Sequence, residues 1–186
     1  MQQLAPSARR ELLDLARAAV EAAARRGPDP ALDPAALTPE LLAPGASFVT
    51  LHERGQLRGC IGMLRYDRPL WMNVRDSAMA AARDDPRFEP VEASELPAIE
   101  IEVSVLEPPV AVPDASHFVA GRHGIIVERA GSRALLLPQV ATEMGWGETE
   151  MLEAVCRKAG LRPDAWRDRG TRLYVFESVC FGNEDH

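Results

Sequence analysis

A thiol two residues from a guanidinium, with glycine on either side, is the arrangement in this chain best suited to chemistry. It lies in Leu57-Arg58-Gly59-Cys60-Ile61-Gly62. Side chains alternate along a strand, so Arg58 and Cys60 are expected on one side and Leu57, Gly59 and Ile61 on the other. A neighbouring cation favours thiolate over thiol, which equips a cysteine as nucleophile, general base or transient covalent anchor. Arg58 has a second use, because its planar fork fits a carboxylate or a phosphate. Gly59 and Gly62 keep the backbone bare, so a ligand or another backbone can come close, and both are candidate ligand-binding positions. The structural alternative is a packed strand, with Cys60 buried and Arg58 paired to a fixed carboxylate.

Proton carriers for such a thiol are few. His123 sits in Gly121-Arg122-His123-Gly124, a glycine-flanked turn from which an imidazole can swing toward a neighbouring site and titrate near neutrality. Against that, a loop histidine is more often simply solvated. Glu100, Glu102 and Ser104 alternate with Ile99, Ile101, Val103 and Val105, so one acidic strand face can meet Arg58 as ion-pair partner or act as general acid or base. Gln139 can hydrogen-bond a ligand amide or satisfy exposed backbone. Asp85-Pro86-Arg87-Phe88 reads as a structural turn with Phe88 docked in the core, although Arg87 could bind an anion. Cys156 and Cys180 read as structural. Metal binding lacks ligand spacing, since no Cys or His pair is suitably placed, and no phosphate-cradling glycine loop is present.

Composition narrows the classes. The chain has 186 residues, 46% hydrophobic and 26% charged, as an ordinary globular protein does. A net charge of −7 and only 5% aromatic residues argue against nucleic acid as partner. No apolar run is long enough for a membrane span, and Met-Gln-Gln-Leu-Ala-Pro lacks the features of a signal peptide. With three widely spaced cysteines there is no disulfide framework, and a cytoplasmic protein is the simplest expectation.

The elements that must position these groups follow from pattern. Ser7 is expected to cap a helix of about 7–26, stopped by Gly27 and Pro28, with Leu12, Leu15, Ala19 and Ala22 on its inner face. Residues 27–47 hold five prolines and read as an extended connection. From Phe48 an internal repeat appears. Phe48–Leu51, a Glu53-Arg54-Gly55 loop and Leu57–Ile61 form a hairpin, Trp71–Arg83 a helix and Ile99–Leu106 a strand. Then Ile125–Glu128, an Arg129-Ala130-Gly131 loop and Arg133–Leu137 repeat the hairpin, before a helix at Thr149–Ala159 and a strand at Leu173–Phe181. Three-residue loops ending in Gly would pair Thr50 with Arg58 and Phe48 with Cys60. His52, Thr50, Arg58 and Cys60 then share a polar face, opposite Val49, Leu51, Leu57 and Ile61. The chain is expected to be one domain of α+β class, with repeats of about 48–106 and 125–181.

These words, with Phe48-Val49-Thr50-Leu51, Glu102-Val103-Ser104-Val105-Leu106, Leu136-Leu137-Pro138-Gln139-Val140 and Cys156-Arg157-Lys158-Ala159-Gly160-Leu161, occur in the order of a known family. From about Pro6 to Phe181 the chain resembles the AmmeMemoRadiSam system protein A family, also called the AMMECR domain, whose hallmark is LRGCIG. The resemblance implies duplicated β-hairpin–α–β units forming mixed sheets in two subdomains around a cleft. It brings no established activity and no cofactor. It also implies association with a Memo-type protein and a radical S-adenosylmethionine protein. Two functions follow. One is a cofactor-independent enzyme or enzyme subunit acting on a small anionic molecule, with Cys60 as nucleophile or base, Arg58 as anion clamp, His123 or Glu102 as proton carrier and Gln139 orienting the ligand. The other is a non-catalytic binding module or adaptor for those partner proteins.

Overall fold

Helix α1 (Pro6–Arg25) owes its position to a stripe of small and aliphatic residues: Ala8, Leu12, Leu15, Ala16, Ala19, Val20 and Ala23 are all buried. In this computed structural model, which describes residues 4–182, Pro6 opens the helix and Ser7 supplies no cap. The preset φ of proline suits the first helical position, where no N–H partner is available in any case. Burying Leu12, Leu15 and Val20 contributes about 1.5–3 kcal/mol apiece. The alanines let α1 lie close on α3 (Leu70–Arg83), and both cover one face of the first sheet. The helix ends in a Schellman pattern, with Gly27 N–H donating to Ala22 O (2.8 Å) and Arg26 N–H to Ala23 O (3.2 Å). The left-handed residue is Arg26 (φ 54°), one place before Gly27. That position strains a residue with a Cβ by about 1–2 kcal/mol.

The first sheet has the order β2-β1-β3-β8, from β1 (Ala46–Glu53), β2 (Gln56–Met63), β3 (Ile99–Leu106) and β8 (Ser178–Gly182). Together with α1, α2 (Pro39–Leu42) and α3, it makes one compact unit, from residues up to Leu106 and from Val179 onward. Its hairpin differs from expectation. Glu53 pairs with Gln56, so the loop is the two residues Arg54 and Gly55, with φ of 52° and 74°. Two left-handed residues match the natural twist of a hairpin, which the three-residue loop does not exploit here. A bulge then restores the core pattern: His52 faces Leu57 but Leu51 faces Gly59, leaving Arg58 as the extra residue. Val49 therefore meets Ile61 on the core side, and Thr50, not Phe48, meets Cys60.

The second unit, Glu107–Ser178, uses a matching order. Its sheet is β4-β7-β5-β6, from β4 (Val110–Val112), β5 (Gly124–Arg129), β6 (Ser132–Leu136) and β7 (Arg172–Phe176). Ile125, Val127 and Leu173 pack under Met151, Leu152, Val155 and Cys156 of α5 (Glu148–Lys158). Its hairpin again turns on two residues, Ala130 (φ 48°) and Gly131 (φ 85°), with Arg129 opposite Ser132. Helix α4 (Gln139–Met144) begins where the second hairpin was expected simply to end.

Both sheets are antiparallel, a refinement of the mixed sheets expected: each hairpin supplies an edge pair, and the third strand returns antiparallel beside the hairpin's inner strand. The single strand expected over Leu173–Phe181 is two, β7 in the second sheet and β8 in the first. Each sheet's fourth strand thus follows directly on the other sheet's third: β4 comes after β3, and β8 after β7.

Candidate functional site

Strand β2 is an edge strand, so one row of its backbone groups lacks a strand partner and needs another. At Cys60 the segment after α3 supplies it. Cys60 N–H donates to Asp85 Oδ2 at 2.9 Å, and Arg87 Nη2 reaches the Cys60 carbonyl at 3.5 Å. Asp85 is buried, its side chain 2% exposed, and accepts four bonds: one from Cys60 and three from Arg87, through the Arg87 N–H (3.1 Å), Nε (3.0 Å) and Nη2 (2.7 Å). The Arg87 guanidinium, ahead of these backbone donors, holds the Asp85 carboxyl down at about 2. The tight turn made by Pro86 lets one carboxylate serve both its own loop and the strand.

The Cys60 side chain, half-buried, is on the sheet face of Thr50, whose hydroxyl donates to Sγ at 3.4 Å. Glu102 lies opposite Thr50 on the far strand, so Cys60, Thr50 and Glu102 form one row across three strands. Two strand spacings put Glu102 about 10 Å from Cys60.

Arg58 is placed otherwise than expected. As the bulged residue it leaves the alternation, and its guanidinium turns to the segment beyond α3. It makes a two-pronged pair with Glu95 (2.7 and 3.1 Å) and also reaches the carbonyls of Glu89 (2.9 Å) and Pro90 (3.5 Å). Glu95 in turn accepts from Glu92 N–H at 2.7 Å. The hydrogen bond from Arg58 holds the Glu95 carboxyl below its usual range, and the same bond raises Arg58. Glu95, not Glu102, is therefore the partner of Arg58. The ring of Phe88 is not docked in the core. It is half-buried, with the guanidinium carbons of Arg58 and Arg87 at 6.0 and 5.4 Å from its centre.

The two glycines serve packing. A Cβ on Gly59 would lie 2.2 Å from the Ala81 carbonyl of α3, and one on Gly62 would lie 2.4 Å from the Phe48 ring. The space expected for a ligand at these positions is filled by the protein. His123 and Gln139 belong to the second unit. His123 Nδ1 accepts from Val119 N–H at 3.1 Å, which leaves the ring proton on Nε2, 4.0 Å from Glu177 Oε1. Gln139 is the first residue of α4 and half-buried. Asp85 and Arg87, read from the sequence chiefly as a structural turn, join the candidate site by holding the Cys60 backbone. Their signal was the Asp-Pro-Arg turn after a helix, opposite an edge strand whose backbone had to be satisfied.

Cys156 is fully buried and Cys180 exposed, and none of the three cysteines is in a disulfide. Burial pushes the Cys156 thiol up. Among the described residues no group of three or more His, Cys, Asp or Glu is placed to hold a metal ion, and no helix is long and apolar enough to cross a membrane.

Fold and site together define an α+β protein of two four-stranded antiparallel sheets, with a cysteine on the braced edge strand of the first. The AMMECR1 family model matches residues 13–181, and the chain belongs to that family. A protein of Methanothermobacter thermautotrophicus is 47% identical over 140 residues, which cover 72% of this chain and 73% of its own. Protein PF1979 of Pyrococcus furiosus is 42% identical over 183 residues, 93% of this chain and 87% of its own. The crystal structure of the uncharacterized protein PH0010 from Pyrococcus horikoshii superposes with a TM-score of 0.88 at 39% identity, covering 94% of this chain and 90% of that one.

Proposed function

We propose that the chain is a thiol-dependent enzyme, or the thiol-bearing subunit of one, acting on a small anionic molecule. The observation that carries the reading is the bracing of Cys60: its N–H is held by buried Asp85, its carbonyl by Arg87, and its sulfur receives the Thr50 hydroxyl. A reacting group held from three sides loses little freedom at the moment of reaction. A hydroxyl donor aimed at sulfur supports the negative form of that sulfur.

In this reading Cys60 is the nucleophile or base. Arg87 replaces Arg58 as the anion-facing cation: its side chain is 53% exposed, and Nη1 is the arm not used on Asp85 or Cys60. Arg58 acts as a positioning residue that ties the Glu89–Glu95 segment to β2. Glu102, on the same face, is the proton carrier for a substrate that spans the row.

Alkylation of the native protein, followed peptide by peptide by mass spectrometry, tests the proposal against two internal standards. Cys180 reports an exposed thiol and Cys156 a buried one. Cys60 is expected to react faster than Cys180 at neutral pH, with Cys60→Ser shifting stability by less than about 1 kcal/mol. A Cys60 as slow as Cys156 removes the catalytic role and leaves the adaptor reading, in which the braced strand is a surface for a partner protein.

A further inference from the structure

The last turn of α1, the end of α3 and the segment Glu89–Ala93 enclose a half-open groove of about 790 Å³. That volume is in the range of small-molecule sites. Its apolar lining comes from Ala23 and Val91, both buried, and from Ala24 and Ala93. The helix ends contribute two cations, Arg26 and Arg83, and the facing segment contributes two carboxylates, Glu89 and Glu92. Arg83 is already bridged to Asp84 at 3.2 Å.

Arg26 is badly placed for stability. It holds the left-handed position of the Schellman turn while Gly27, the residue suited to it, stands one place later. Nor does the side chain recover the loss by contacts, for among the described residues its guanidinium has no hydrogen bond, ion pair or ring contact. A strained backbone and an unpartnered cation coincide in the lining of this groove. An outlier of this kind points to function.

We propose that this groove binds a small zwitterion, an α-amino acid or a short peptide with charged ends. Its carboxylate lies at Arg26, its ammonium lies between Glu89 and Glu92, and its apolar part rests on Ala23 and Val91. Two acidic residues lining the same groove as one unpartnered arginine disfavour a phosphate or any other multiply charged anion. The site is separate from the thiol and does not depend on its chemistry.

Titration of the 15N-labelled full chain with leucine, Ala-Leu, N-acetyl-leucine and leucinamide tests this. Leucine or Ala-Leu is expected to shift the amides of residues 23–26 and 91–93 saturably, with the tighter of the two telling amino acid from peptide. Each singly charged probe should bind at least tenfold more weakly. Arg26→Gly should lose at least tenfold in affinity for the zwitterion, while its Tm rises by about 2–4 °C because the strain is relieved. No saturable shift, equal binding of the blocked probes, or undiminished binding by Arg26→Gly overturns the proposal. A lower Tm for Arg26→Gly also overturns it, by giving Arg26 a structural role.

Discussion

Asp85 is the residue on which the site's geometry turns, and its effect can be read in the pH dependence of stability. Its folded-state pKa of about 2 lies below the ordinary 3.8, so its contribution is complete above the ordinary value and is lost as pH falls through the folded one. The difference amounts to about 2 kcal/mol. Urea unfolding of Asp85→Asn near neutrality should show a deficit of that order against the parent chain. At about pH 3 the gap should narrow, because the unfolded parent then takes up a proton that the folded state still excludes. A gap independent of pH would mean that Asp85 acts through shape alone. At this scale the sequence was half legible. Cys60 and the neighbouring cations could be seen from residue types and spacing, but which arginine reaches the Cys60 backbone could not. That choice depends on a bulge at Arg58 and on Glu95, 37 residues away, meeting it.

The elements explain why the glycines of β2 are there. Gly59→Ala forces a methyl against the backbone carbonyl of Ala81, which has no side-chain freedom with which to retreat, and should cost about 2–3 kcal/mol. Gly62→Ala meets the ring of Phe48, which can turn, and should cost less. Thermal unfolding of both variants checks the order; unchanged stability in both would return these positions to a ligand-binding role. The hairpin loops make the opposite prediction. Arg54→Asn and Ala130→Asn place a residue that tolerates the left-handed region where the chain now strains one that does not. Each should stabilise by about 0.5–1 kcal/mol, measured by urea unfolding. Hydrophobic alternation located both hairpins in the sequence. It misjudged the first loop because a two-residue turn plus a bulge keeps Val49, Leu51 and Ile61 on the core side, as a three-residue turn without one would, while Leu57 is left exposed. In the second hairpin Gly124–Val127 are all buried, so alternation there carries no register to read.

For the whole molecule, the order hairpin, helix, strand was legible twice from periodicity, and the class of fold followed from it. The exchange of fourth strands was not. Alternation through Leu173–Phe181 continues past the point where the chain passes from one sheet to the other, and a period of two carries no mark of which sheet receives a strand. Truncation after Leu106 should show what that exchange contributes. It removes β8 and leaves β3 as an open edge, so the fragment should self-associate in sedimentation or light scattering where the full chain does not.

That same exchange sets the order of events as the protein is made. When β3 leaves the ribosome, the strand that will complete its sheet follows roughly 70 residues later, a wait of about 4–14 s at ordinary elongation rates. Through that interval the nascent chain carries a three-stranded sheet with one bare edge while the whole second unit is threaded out behind it. Domain-by-domain folding, the usual protection of a growing chain, is therefore closed to the first unit. Its last strand must be recruited from beyond the second unit, and any stall in translation between residues 107 and 178 exposes that edge for as long as the stall lasts.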